Sequence, residues 1–184
     1  MRFSVTAVQG ALVIDADRQS DDRGFFVRTF CVDEFAAAGI SDTFPQSNLS
    51  HNDRRATLRG MHGETPPSAE SKVVRCTVGV IHDVVVDLRP ESPTFLRSAA
   101  VELSRTNGRA LYIPPGCAHG FVTLVDDTDV EYLMGARYRP GAGVGFRWDD
   151  PAFAIDWPIE PLVISERDRT YADFDQSAWS ALRR

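Results

Sequence analysis

The chain has 184 residues, 43% hydrophobic and 25% charged, a composition that suits one folded domain over residues 1–184 and excludes a disordered or fibrous polymer. Its net charge of −6 argues against a general nucleic-acid binder, which needs a basic face, although a local group of arginines can still hold phosphate. No apolar run approaches the roughly 20 residues of a membrane helix, Arg2 is not followed by a leader's apolar core, and Cys31, Cys76 and Cys117 have no CxxC spacing, so a cytoplasmic protein with reduced thiols is expected.

Alternation predicts strands over Phe3–Val8 and Ala11–Ile14. Asp21-Asp22-Arg23-Gly24 is a polar turn, and Phe25–Phe30 reads as the next strand. A helix opens at Val32 or Asp33, runs through Glu34–Ala38 and stops at Gly39. The middle of the chain is strand after strand: Val73–Val78, Val80–Leu88, Ala99–Leu103, Arg109–Ile113, Gly120–Val125 and Val130–Ala136. Turn residues such as Thr106-Asn107-Gly108 and Asp126-Asp127 separate them. Short strands at this spacing imply an all-β fold, an antiparallel sandwich or barrel with short peripheral helices. The tail from about Ser165 is charged and partly helical, with Trp179 placed to dock it.

Four groups of residues carry chemical potential. Gln46-Ser47-Asn48-Leu49-Ser50 leads into Leu58-Arg59-Gly60-Met61-His62. Lys72 and Arg75 precede Asp83 and Asp87, which share one strand face at period two. Asp83 reads as support for the site, and Asp87 as an anchor for Arg89 or a turn. Pro114-Pro115-Gly116-Cys117-Ala118-His119 ends a stretch from Gly108 that matches the second cupin motif, where a sharp turn aims a histidine into a barrel. Tyr132 and Tyr138 precede Ser165-Glu166-Arg167-Asp168, which also resembles a helix-capping signature.

Over nearly its whole length the chain resembles the dTDP-4-dehydrorhamnose 3,5-epimerase family. The matching stretches include Asp22-Arg23-Gly24-Phe25-Phe26, Gln46-x-Asn48-x-Ser50, Leu58-Arg59-Gly60-Met61-His62, Lys72-Val73-Val74-Arg75, Ile113-Pro114-x-Gly116-x-Ala118-His119-Gly120-Phe121, Trp148-Asp149-Asp150-Pro151 and Ser165-x-x-Asp168. The resemblance implies a cupin-type jelly roll, a homodimer, no cofactor or metal, and a dTDP-4-keto-6-deoxysugar substrate. It also implies roles: His62 as the base, Asp168 as its partner, Lys72 for the enolate and Tyr132 as the acid on the opposite face. Arg23, Arg59 and His119 would line the pocket and hold the diphosphate, and Gln46 and Asn48 would contact sugar or nucleotide. Phe26 would come from the partner subunit, and Tyr138 and Glu64 would lie where substrate is touched.

The chain departs from the family where the base histidine is usually followed by Tyr-Gln. Gly63-Glu64 stand there instead, which removes an aromatic ring and adds a charge beside the expected pocket. Arg28 stands where a Glu is usual. Gly63 is therefore expected to open the pocket, and the choice between C3, C5 or both stays open. Two other readings remain: a metal-dependent cupin built on His62, Glu64 and His119, and a sugar-nucleotide-binding relative without turnover.

Overall fold

Strands dominate because β-branched and aromatic residues gather in short runs along the middle of the chain, and turns rich in Gly, Pro and Asp divide them. A computed structural model describes residues 1–65 and 70–182. In chain order the elements are β1 (Arg2–Val5), β2 (Leu12–Asp15), β3 (Arg18–Asp21), β4 (Gly24–Val27), α1 (Val32–Ala37), β5 (Gln46–Asn52), β6 (Thr57–Glu64), β7 (Lys72–Val78) and β8 (Val80–Asp87). They continue with β9 (Ser98–Ser104), β10 (Arg109–Ile113), β11 (Cys117–Thr123), β12 (Thr128–Met134), β13 (Gly143–Gly145), β14 (Val163–Ile164), α2 (Glu166–Arg169) and α3 (Gln176–Ala181).

One sheet runs β1-β2-β10-β7-β12-β5 and the other β13-β6-β11-β8-β9, with β14 added in parallel to β6. The two sheets form the all-β, cupin-type jelly roll that the strand spacing and the resemblance suggested. Their inner faces share one apolar core, in which Val74, Cys76, Leu111 and Val130 of the first sheet meet Val85 and Phe121 of the second. The outer faces are covered as well. On the first sheet, Val73 and Tyr112 pack under Phe35 of α1. On the second, Met61, Val84 and Val86 pack under Phe146, Phe153 and Trp179. Burial on both faces explains why β7 and β8 read as nearly unbroken apolar runs. Trp179 docks the tail as expected, with its indole N–H donated to the Leu88 carbonyl at 2.7 Å.

Several boundaries differ from the expectation. The strand expected over Phe25–Phe30 ends at Val27, because Arg28 turns to Glu34 and the Thr29 carbonyl accepts from Arg75. β11 begins at Cys117, three residues before the expected Gly120. β5 and β6 are strands that the sequence pattern does not announce. No helix among the described residues is long and apolar enough to cross a membrane.

One buried carboxylate anchors the loop that follows β8. Asp87 is fully buried, accepts two hydrogen bonds from the Arg89 guanidinium and one each from the Ser92 and Thr94 hydroxyls, and so carries out the anchoring role expected of it. Burial alone would raise its pKa, but these donors outweigh it and set the value at about 2, below the ordinary 3.8. A depressed carboxyl stabilises the fold above its unfolded pKa and loses that contribution as pH falls through the folded value. Asp87→Asn should therefore cost about 2 kcal/mol near neutrality. In urea unfolding, the gap from the native chain should shrink between pH 4 and pH 2; a constant gap over that range would contradict the account.

Candidate active site

The site is built where β6 and β11 lie unusually close. Gly60 has φ +130°, and a Cβ there would stand 2.5 Å from the Gly120 Cα, so only glycine permits this approach. A register shift at Gly120 accompanies it, and His62 then stands directly opposite His119. Strand alternation decides which way each residue points. Met61 belongs to the outer cluster, and a Cβ at Gly63 would meet the Phe146 ring at 3.6 Å, so these two face outward. His62 and Glu64 accordingly face inward. This corrects the expectation for Gly63: its missing side chain would fill space beside Phe146, not space in the pocket.

His62 is held by a residue far along the chain. β14 pairs with the start of β6, Ser165 caps α2 by accepting from the Asp168 N–H at 3.1 Å, and Asp168 is thereby laid against His62. The distance from His62 Nε2 to Asp168 Oδ1 is 2.8 Å, and Asp168 Oδ2 accepts the Gly60 N–H at 3.3 Å. Thus the Ser165-x-x-Asp168 signature is both a cap and a site element. Burial works to raise the Asp168 pKa, but the hydrogen bond and charge of His62, with the Gly60 and Ser165 contacts, bring it below its ordinary value. An ionised Asp168 accepts Nε2–H and leaves the Nδ1 lone pair free.

The same arrangement recurs one strand away. His119 Nε2 lies 2.7 Å from Oδ1 of the fully buried Asp83, which supports the site as expected. Tyr132 enters from β12 on the opposite sheet and meets the His119 ring edge-on at 6.2 Å. Burial first, and the Asp83 charge second, push the Tyr132 phenol far above its usual value despite a hydrogen bond with Ser50. It therefore stays protonated through neutral pH. Lys72 enters from β7, on the inner face it shares with Val74 and Cys76. Burial lowers its pKa, opposed by the charges of Glu70 and Glu64.

These groups surround one cavity of about 680 Å³, within the usual range for a small-molecule site. His62, Lys72, His119, Tyr132, Asp168, Asn48 and Arg59 all line it. Arg59 is held at the rim by the Asn52 side chain at 2.7 Å and the His51 carbonyl at 3.1 Å. Arg167 also lines the cavity, a place not expected from the sequence, where its position next to Asp168 on a short helix is the available signal.

Other expected residues are not gathered into this cavity. Gln46 is tied to Asn48 and to the Tyr138 backbone N–H, while the Tyr138 ring is 76% exposed. Glu64 faces inward but lies behind the lining, near Lys72. Arg23 and Phe26 sit on the β3–β4 hairpin, which pairs with no other strand among the described residues; Arg23 is bound to Asp21 at 2.6 Å, and Phe26 is 78% exposed. Neither residue lines the cavity that holds His62. Among the described residues no three His, Cys, Asp or Glu side chains converge as a metal site requires, so the set His62, Glu64 and His119 is not assembled.

Comparison with known proteins places this geometry. The dTDP-4-dehydrorhamnose 3,5-epimerase family profile matches residues 5–176. A dTDP-4-dehydrorhamnose 3,5-epimerase of Methanothermobacter thermautotrophicus is 40% identical over 173 residues, 92% of each chain. The solved structure of an epimerase from Mycobacterium tuberculosis superposes with a TM-score of 0.92 at 36% identity, covering 99% of this chain and 92% of that one. A 3'-monoepimerase from Streptomyces bikiniensis, solved in complex with dTDP-quinovose, superposes with a TM-score of 0.84 at 32% identity, covering 96% and 88%. The chain therefore belongs to the dTDP-4-dehydrorhamnose 3,5-epimerase family.

Proposed function

We propose that this protein is an isomerase that inverts C3, C5 or both of a dTDP-linked 4-keto-6-deoxyhexose, as a step in deoxysugar biosynthesis. The observation that carries this reading is the division of labour between two walls of one cavity. His62, oriented by Asp168, stands on one sheet, and the protonated phenol of Tyr132 stands on the other. Epimerisation requires that geometry: a proton leaves one face of a carbon and another returns to the opposite face.

In the proposed reaction His62 Nδ1 takes the proton alpha to the C4 ketone. The electron pair moves into the enolate, whose oxygen meets the Lys72 ammonium. Tyr132 returns a proton from the far side, and the ketone is restored. The proton balance closes without a cofactor. Arg59, with Arg167 beside it, holds the diphosphate at the rim, and His119, fixed by Asp83, shapes the sugar pocket. Gln46 and Asn48, joined to each other and to the Tyr138 backbone, face the sugar or nucleotide at the edge of β5. The reading includes one domain per chain, a cytoplasmic location and a homodimer. In that dimer the self-paired β3–β4 hairpin carries Arg23 and the exposed Phe26 toward a second copy's site.

Proton NMR of dTDP-4-keto-6-deoxyglucose with the enzyme in heavy water tests this directly. Deuterium should enter C3, C5 or both, and the labelled positions name the specificity; no label at either carbon would sink the reading. His62→Ala should abolish exchange while dTDP still binds, and wild-type exchange in that variant would remove His62 as the base. Asp168→Asn should keep the fold and lower the exchange rate by about 10²- to 10⁴-fold, because the imidazole loses its oriented tautomer. A loss under twofold would contradict the role of the pair.

A further inference from the structure

We propose that Glu64 and Glu70 are positioning residues that hold Lys72 as an ammonium at the cavity wall, so that this chain carries a built-in counter-charge for the cation that meets the enolate. The inference rests on the role proposed above for Lys72.

Three placements support it. Glu64 lies two residues beyond His62 on β6 and so shares its inward face, as the outward Met61 and Gly63 require. Lys72 opens β7 on the facing sheet, on the inner side with Val74 and Cys76. Glu70 stands two residues before Lys72; burial raises its pKa, and the Lys72 charge is the first influence that opposes the rise. Both carboxylates act on Lys72 by their charge, without an ion pair at contact distance among the described residues. Moreover, Glu64 Oε2 is buried with no hydrogen-bond partner among the described residues.

The chemistry explains why such a brace is useful. A buried lysine without counter-charge tends to lose its proton, and a neutral amine stabilises an enolate far less than an ammonium does. The other titratable groups around the cavity do not supply the negative charge. His62, His119 and Tyr132 face it from β6, β11 and β12, and Arg59 and Arg167 add positive charge at the rim. Asp168 and Asp83 are committed to the two histidines. Arg139 acts on Glu70 rather than on Lys72.

The pH dependence of turnover by Glu64→Gln and Glu70→Gln tests the proposal. In Glu64→Gln the alkaline fall of kcat should move to lower pH by about one pH unit, with KM within about twofold. Glu70→Gln should move it the same way, and the double variant further. Glu64→Asp should restore most of the native profile, which a merely space-filling role would not predict. An alkaline limb that superposes on the native one in Glu64→Gln would overturn the proposal. Titration of the Lys72 side-chain nitrogen by NMR in labelled protein gives a second readout independent of turnover. Its midpoint should be lower in Glu64→Gln, and an unchanged midpoint would equally overturn the brace. Lys72→Met separates the two levels: native turnover there removes Lys72 from the mechanism, whereas an inactive Lys72→Met with an unshifted Glu64→Gln removes only the brace.

Discussion

The hydrogen bond between His62 and Asp168 joins residues 106 positions apart and organises the functional end of the barrel. For it to form, β14 must add to β6 in parallel, Ser165 must cap α2, and the tail beyond must be pinned by Trp179. A carboxylate that accepts from both an imidazole and a backbone N–H has little freedom left. The imidazole is therefore presented to the cavity by one chosen nitrogen. Long-range closure of this kind costs chain entropy, which is offset here by the apolar cluster of Phe146, Phe153 and Trp179 on the outer face.

The sandwich separates opposing functions onto opposing walls. One sheet offers two histidines, each fixed by its own buried carboxylate at 2.7–2.8 Å. The other offers a protonated phenol and a lysine. Burial drives the phenol toward its neutral form and would drive the lysine the same way. The former suits a proton donor and the latter would weaken an enolate-binding cation, so the lysine alone needs compensation. The two glutamates near it answer that need, whereas at Tyr132 the Ser50 hydrogen bond and the Arg59 charge oppose the rise without overcoming burial.

Much of this was legible in the sequence, for physical reasons that differ by residue. The central strands were readable because both faces are buried and nearly every residue is apolar. β5 and β6 were hidden, since Gln46–Asn52 is polar and Thr57–Glu64 is interrupted by two glycines and an arginine. Those same residues are chemical, which is why the region was recognised as a site before it was recognised as sheet. The direction of Gly63 could not be read without knowing the strand, so its effect was assigned to the wrong face. Asp87 and Asp83 were placed well, because alternate positions on one strand leave few options for a buried carboxylate. Arg23 and Phe26 lie on a hairpin that pairs with no other strand among the described residues, and the role proposed for them needs a second copy.

In the mechanism proposed here, Asp168 fixes His62 with its proton on Nε2 and its lone pair on Nδ1. Heteronuclear NMR of the ring nitrogens in histidine-labelled protein reads that tautomer directly, with His62→Ala assigning the signal. Nε2 should be protonated and Nδ1 unprotonated, with the preference lost in Asp168→Asn. A protonated Nδ1 in the native protein would contradict it.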